Sequence, residues 1–258
     1  MQHVLRSVTA VVIAFILSMT NTPYVVAGSN TAPCQGSYTN RHSGWSDTGP
    51  RQGARALFPA QSLSLCTTIE PWTIAGSFAF VNIEGPNNSG SGYNIVQIGV
   101  GRCRRPLSSD CDGQMRWYWA WGRDSAGYPC GNVLPMPVSV GLWDGTASYY
   151  MVTHSGSYWR GYVDGVEKAN VPDWFLSCSW SPVRATWFTE TWNYGDSLGG
   201  SATNKFELRH MQYQATKGGA WTFVSANPSL PCAIPPDLTP PFYCDVYSSD
   251  EVQTWTDR

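Results

Sequence analysis

Charge is scarce in this chain. Only 13% of its residues are Asp, Glu, Lys or Arg, and 16 basic against 18 acidic side chains leave a net charge of −2. Without a basic excess there is no electrostatic footprint for a nucleic-acid partner. Histidine is scarcer still, at four residues. No His-Glu-x-x-His and no Cys-x-x-Cys occurs, so a zinc centre or a thioredoxin-like site has no ligands to build on. Asp110, Asp112 and Asp196 sit in expected loops without calcium-ligand spacing. No metal or cofactor is expected. Long helical periodicity is absent too, and beyond Met19 no apolar run approaches the roughly 20 residues of a membrane span.

What the chain does contain begins with an address. Arg6 precedes an uncharged apolar run from Val8 to Met19, and Val25-Val26-Ala27 offers a small-residue cleavage site. Residues 1–27 read as a signal peptide, which implies a secreted protein with no membrane attachment after cleavage. All eight cysteines follow it: Cys34, Cys66, Cys103, Cys111, Cys130, Cys178, Cys232 and Cys244. An even count in an exported chain points to disulfides. Cys103–Cys111 would close a hairpin and Cys232–Cys244 a C-terminal loop, leaving Cys34–Cys66 and Cys130–Cys178 as longer clasps. The expected partner is an extracellular polypeptide or a glycan.

Aromatics and glycines dominate what remains, with 13 tryptophans, 13 tyrosines and 25 glycines. Short alternating runs separated by Gly, Pro, Asn and Asp are the signature of an all-β fold. The strongest lies at Gln114 to Trp121, where Met115, Trp117, Trp119 and Trp121 share one face and Arg116 and Tyr118 the other. Asp164-Gly165 carries a type I′ hairpin signal. Eight or more such strands favour a two-layer antiparallel sandwich over a barrel. Residues 28–226 read as a single domain of that kind, and 227–258 as a proline-rich tail strapped by a disulfide.

Glu190 is the most conspicuous side chain. It interrupts Ala185-Thr186-Trp187-Phe188-Thr189-Glu190-Thr191-Trp192, a run that reads as a buried strand, where charge is seldom placed unless paired or needed. On a strand it shares a face with Phe188 and Trp192, and desolvation there suits a general acid or base. The plainer reading is an edge glutamate paired with a cross-strand cation. Gln97, on the face of its strand opposite Val96 and Ile98, can donate an N–H to a developing oxyanion. Gly99 beside it would admit a ligand backbone, and the plainer reading is a solvent-facing residue.

At this pair the chain resembles the neprosin family. Ile95-Val96-Gln97-Ile98-Gly99, Arg116-Trp117-Tyr118-Trp119 and Cys130-Gly131-Asn132 are similar to that family's early motifs. Trp187-Phe188-Thr189-Glu190 is similar to its Trp-Gly-Gly-Glu, and Asp196-Ser197-Leu198-Gly199-Gly200 to the loop beyond. The resemblance implies a concanavalin-like antiparallel sandwich of the jelly-roll type and a glutamic peptidase. Glu190 would activate water and Gln97 would steady the oxyanion, while Trp192, Tyr118 and Arg116 would contact substrate. Two departures stand against it: Phe188 and Thr189 replace the two glycines, and an alignment on the related eqolisins places Thr186 where their acid stands.

Four other readings compete. Gly195-Asp196-Ser197-Leu198-Gly199 matches the letters of Gly-x-Ser-x-Gly, but a nucleophile elbow needs a helix after the serine, and a turn between strands fits better. A non-catalytic carbohydrate-binding sandwich would use tryptophans among Trp117, Trp119, Trp121, Trp159 and Trp192, although such a stripe is also what a buried sheet face needs. Glycoside hydrolysis would need a second carboxylate, with Glu70, Glu84 and Glu207 available. A structural surface protein needs no site at all.

Overall fold

The computed structural model describes residues 32–34, 41–67, 72–86, 93–122, 124–125, 131–132, 137–173, 181–226, 232 and 242–256. In chain order its strands are β1 (Arg41–Thr48), β2 (Gly53–Phe58), β3 (Ala75–Pro86), β4 (Tyr93–Arg104), β5 (Asp112–Gly122), β6 (Asp124–Ser125), β7 (Gly131–Asn132), β8 (Val138–Leu142) and β9 (Ser148–Ser155). They continue as β10 (Tyr158–Val163), β11 (Val166–Pro172), β12 (Arg184–Thr191), β13 (Gly200–Ser201), β14 (Asn204–Gln214), β15 (Thr222–Phe223), β16 (Phe242–Ser248) and β17 (Glu251–Thr256). The six-stranded sheet runs β1-β12-β3-β4-β5-β8. The larger sheet runs β11-β10-β9-β2-β14-β17-β16, with the short β13 and β15 also paired to β14.

The chain crosses between sheets at β1–β2–β3 and again at β8–β9 and β11–β12–β14, with antiparallel neighbours. The fold is a disulfide-stapled antiparallel β-sandwich of the jelly-roll type. Alternation in each strand decides what lies between the layers. Val81, Ile98, Trp119 and Trp187 from the six-stranded sheet meet Ala56, Val152, Trp159 and Phe206 from the larger one in a single core. Trp187 Nε1 also donates across it to the Arg55 carbonyl at 2.9 Å, so this core indole has its polar atom satisfied. Gly161 makes room for the Trp119 ring, which a Cβ would meet at 2.6 Å.

The tryptophan stripe of β5 therefore faces inward. Trp119 and Trp159 are buried, and Trp117 and Trp121 pack against the same core. This placement fits the packing reading of that stripe. Asp164 and Gly165 both adopt positive φ (49° and 77°) between β10 and β11, the two-residue turn their sequence signals. Cys34–Cys66, Cys103–Cys111 and Cys232–Cys244 are bonded. Residues 1–27 and the Cys130–Cys178 pairing lie outside the described residues. The C-terminal segment carries its Cys232–Cys244 strap, and within it residues 242–256 form the β16–β17 hairpin, with β17 paired to β14 inside the larger sheet. Its alternation buries Val246 and Val252.

Candidate functional site

The expected site lies on the outer face of the six-stranded sheet. Gln97 and Glu190 both lie on that face, but register separates them. Gln97 pairs with Asn82, and Asn82 with Thr186; Glu190 pairs with Phe78, and Phe78 with Gly101. Four residues of strand and two strand spacings intervene, about 16 Å between Cα atoms. The two do not converge on one water. In the row of Gln97 the β12 position belongs to Thr186, whose hydroxyl accepts from Asn82 Nδ2 at 2.9 Å. A threonine there supplies no general base.

Glu190 sits on the second strand of its sheet rather than at an edge, 8% exposed. Trp192 Nε1 donates to its Oε1 at 2.6 Å, and His42 Nε2 of β1 lies 3.7 Å from its Oε2. These contacts satisfy the carboxylate within the face. The space beside Gly99 is filled as well, because a Cβ there would collide with the Ala79 carbonyl and meet the Phe80 ring at 2.7 Å. That glycine serves the packing of β3 on β4, not a ligand.

The expected substrate contacts are also engaged elsewhere. Trp192 is buried with its ring 4.6 Å from that of Phe78. Tyr118 is fully buried; its hydroxyl donates to the Asp110 carbonyl at 2.6 Å, and burial pushes the phenol well above its ordinary pKa. Arg116 forms a two-pronged pair with Asp112, at 2.6 and 3.2 Å, which holds the Asp112 carboxyl below its usual range. The Gly195–Gly199 segment is a turn. Fully buried Asp196 accepts the Cys66 and Gly76 backbone N–H groups at 2.7 and 2.8 Å, and buried Ser197 Oγ accepts from Gly199 N–H at 3.2 Å. This carboxylate fastens a loop to the sandwich, and the serine has no elbow to stand on.

The outer face of the larger sheet is different in kind. Alternation along β14 sends Phe206 and Leu208 inward and Lys205, Glu207 and Arg209 outward; along β17 it sends Glu251, Gln253 and Trp255 outward. Register then assembles rows across β14, β17 and β16: Glu207 opposite Gln253 opposite Asp245, with Trp255 opposite Tyr243 alongside. Trp255 is clasped between Tyr243, stacked at 5.5 Å, and the Lys205 ammonium, 4.1 Å from its ring. Lys205 also lies 3.8 Å from Asp245.

Beside this ladder opens a cleft of about 350 Å³, lined by Gln61, Asn204, Lys205, Glu207 and Gln253 among others. That is the lower end of the range for small-ligand sites. Gln61 Nε2 donates to the Asn204 carbonyl at 3.1 Å, and Gln253 Nε2 to Glu251 Oε1 at 3.3 Å, so both amides are oriented. Burial raises the Glu207 pKa and Glu251 raises it further, against the opposing pull of Arg209. The cleft thus presents a half-buried carboxylate, two amides and an ammonium side by side. It can give and take hydrogen bonds from a polyhydroxylated ligand without demanding charge. Among the described residues no group of His, Cys, Asp or Glu has the arrangement of a metal site.

Of these residues, sequence reasoning reached only Glu207. The signal was available in Lys205-Phe206-Glu207-Leu208-Arg209 and Glu251-Val252-Gln253-Thr254-Trp255, whose outward positions are polar or aromatic on strands that bury the other side.

No protein-family model matches the sequence, and no curated protein does. Among solved structures the chain is similar to a Bacillus licheniformis beta-glucanase, at 13% identity and a TM-score of 0.32 over 57% of this chain and 55% of that one. A kappa-carrageenase from Zobellia galactanivorans gives 12% and 0.35 over 65% and 61%. One from Pseudoalteromonas carrageenovora gives 11% and 0.31 over 81% and 65%. The matches cover less than two thirds of each of these three proteins. Likeness at this level assigns no activity to the chain.

Proposed function

We propose that this is a secreted, non-catalytic glycan-binding β-sandwich whose ligand lies on the outer face of the larger sheet, centred on the Gln61–Glu207–Gln253 cleft. The observation that carries the reading is the contrast between the two outer faces. On the six-stranded sheet the aromatic and polar side chains are buried and occupied with one another. On the larger sheet a polar cleft stands beside half-buried Trp255 and Tyr243, with further exposed rings at Tyr149, Tyr158 and Phe223. Sugars present hydroxyls at their edges and C–H groups on their faces, and amphipathic rings flanked by fixed hydrogen-bonding groups meet both. Three disulfides suit an oxidising, extracellular setting.

The test uses the oxidised mature protein on a panel of immobilised oligosaccharides. Binding should be found, and Glu207→Ala and Tyr243→Ala should each weaken it about tenfold, the loss of a charge-assisted hydrogen bond or an aromatic contact. Arg116→Ala should leave it unchanged. Cleavage of a denatured protein abolished by Glu190→Gln in a still-folded variant would overturn the reading.

A further inference from the structure

The larger sheet's outer face carries a cation that no described neighbour neutralises. Arg160 pairs with Glu167 at 2.5 Å, Lys205 lies near Asp245, and Arg209 meets both Glu207 and Glu251. Arg55, outward on β2 between Met151 of β9 and Gln212 of β14, has no carboxylate within ion-pair distance among the described residues. Its Nη2 donates to Gln212 Oε1 at 2.8 Å, while its buried Nε–H has no acceptor. The guanidinium stands 4.5 Å over the ring of Trp221. Trp221 can lie there because Gly53 keeps the sheet low beneath it; a Cβ at that position would meet the indole at 3.2 Å.

A half-buried guanidinium without a counter-ion is costly, since burial removes water that nothing else on the protein replaces. The surroundings also hold it in one pose. Gln212 fixes one edge of the fork and Trp221 fixes its plane, so little conformational entropy is left to lose when an anion docks. Leu57, Tyr149 and Met151 are its neighbours in the sheet register and frame the position with largely apolar surface. About 13 Å of sheet, four residues along β2, separate the row of Arg55 from that of Glu207 and Gln253. An oligosaccharide lying along the face reaches both.

We propose that Arg55 recognises an acidic group on the glycan, so that the ligand class is an anionic oligosaccharide bearing a carboxylate or a sulfate ester. This rests on the glycan-binding reading. The guanidinium fork matches the paired oxygens that both groups offer, while the neutral part of the chain lies over the Glu207–Gln253 cleft. Glu207 and Glu251, already paired with Arg209, keep the acidic group away from that end of the face.

The experiment is titration calorimetry at low ionic strength with four probes: a uronic-acid oligosaccharide, its carboxyl-reduced form, a sulfated oligosaccharide and its desulfated form. One acidic probe should bind about tenfold tighter than its neutral counterpart, the size expected of a charge-assisted hydrogen bond. Arg55→Gln should erase that advantage and leave the neutral probe's affinity unchanged, and Arg55→Lys should restore part of it. Which acidic probe responds distinguishes carboxylate from sulfate. Equal binding of acidic and neutral probes, or an Arg55→Gln loss that falls on both alike, overturns the inference and leaves glycan binding standing. Failure of every probe to bind the wild-type protein overturns both.

Discussion

Asp196 is the buried charge that the fold depends on most visibly, and its removal gives a worked prediction. Its two oxygens accept the backbone N–H groups of Cys66 and Gly76, and the residue is fully buried. Asp196→Ala leaves both donors without their carboxylate in a region that water does not reach. Each stranded donor costs about 1–3 kcal/mol, so the pair costs about 4 kcal/mol, a large share of the roughly 5–15 kcal/mol that holds a domain together. For a domain of this size about 2–4 °C is lost per kcal/mol, which places the midpoint about 12 °C lower. Asp196→Asn keeps one carbonyl acceptor and should lose about half as much. Thermal unfolding of the oxidised protein followed by far-UV circular dichroism measures this, with Ser197→Ala as the neighbour expected to cost about 1 kcal/mol or less. If Asp196→Ala unfolds within about 3 °C of wild type, the latch is not what fastens the 195–199 turn to the sandwich.

Three shorter predictions accompany it. The Cys103–Cys111 link spans a sequence separation of 8 and Cys34–Cys66 one of 32; opening them by paired Cys→Ser changes should cost about 2.5 and 3.7 kcal/mol respectively in denaturant titrations, and the reverse order would contradict a loop-entropy origin. Arg116→Ala removes a solvent-screened pair with Asp112 and should lower stability by less than about 1 kcal/mol in the same titration, whereas a loss of several would show that the pair anchors β5. Glu207 has a carboxyl pKa raised in the folded state, first by burial and then by Glu251. Its contribution is therefore full below the unfolded value and is lost as pH rises through the folded one. Glu207→Gln should gain on wild type in melting temperature between about pH 4 and pH 7, and a variant that loses ground over that interval would reverse the assigned shift.

Much of the fold was legible because alternation is a local property. The inward stripe of β5, the Asp164-Gly165 turn and the three bonded cysteine pairs each depend on residues a few positions apart or on a simple nesting of loops. The β16–β17 hairpin was obscured by the prolines before it, although Phe242, Val246 and Val252 alternate as a half-buried hairpin should. The site was harder to read for a definite reason. Parity tells which face a side chain takes, and it put Gln97 and Glu190 on one face; the row a residue occupies depends on strand register, which is set by distant pairing. Which outer face meets solvent is also non-local. Glu190 looked exceptional because it is charged among aromatics, yet Trp192 and His42 satisfy it in place. Ala54-Arg55-Ala56 carries no local signal, and only the assembled sheet shows that no carboxylate faces Arg55 among the described residues.

The central claim is that ligand binds the larger sheet's outer face. Nitrogen–proton NMR of the labelled, oxidised protein during oligosaccharide titration reads this residue by residue, with the indole N–H signals of Trp255, Trp221 and Trp192 as reporters on the two faces. The account predicts shifts at Lys205, Glu207, Gln253 and the Trp255 and Trp221 indoles, with Gln97, Glu190 and the Trp192 indole unmoved. Shifts confined to Gln97, Glu190 and Trp192 would contradict it and return the site to the six-stranded sheet.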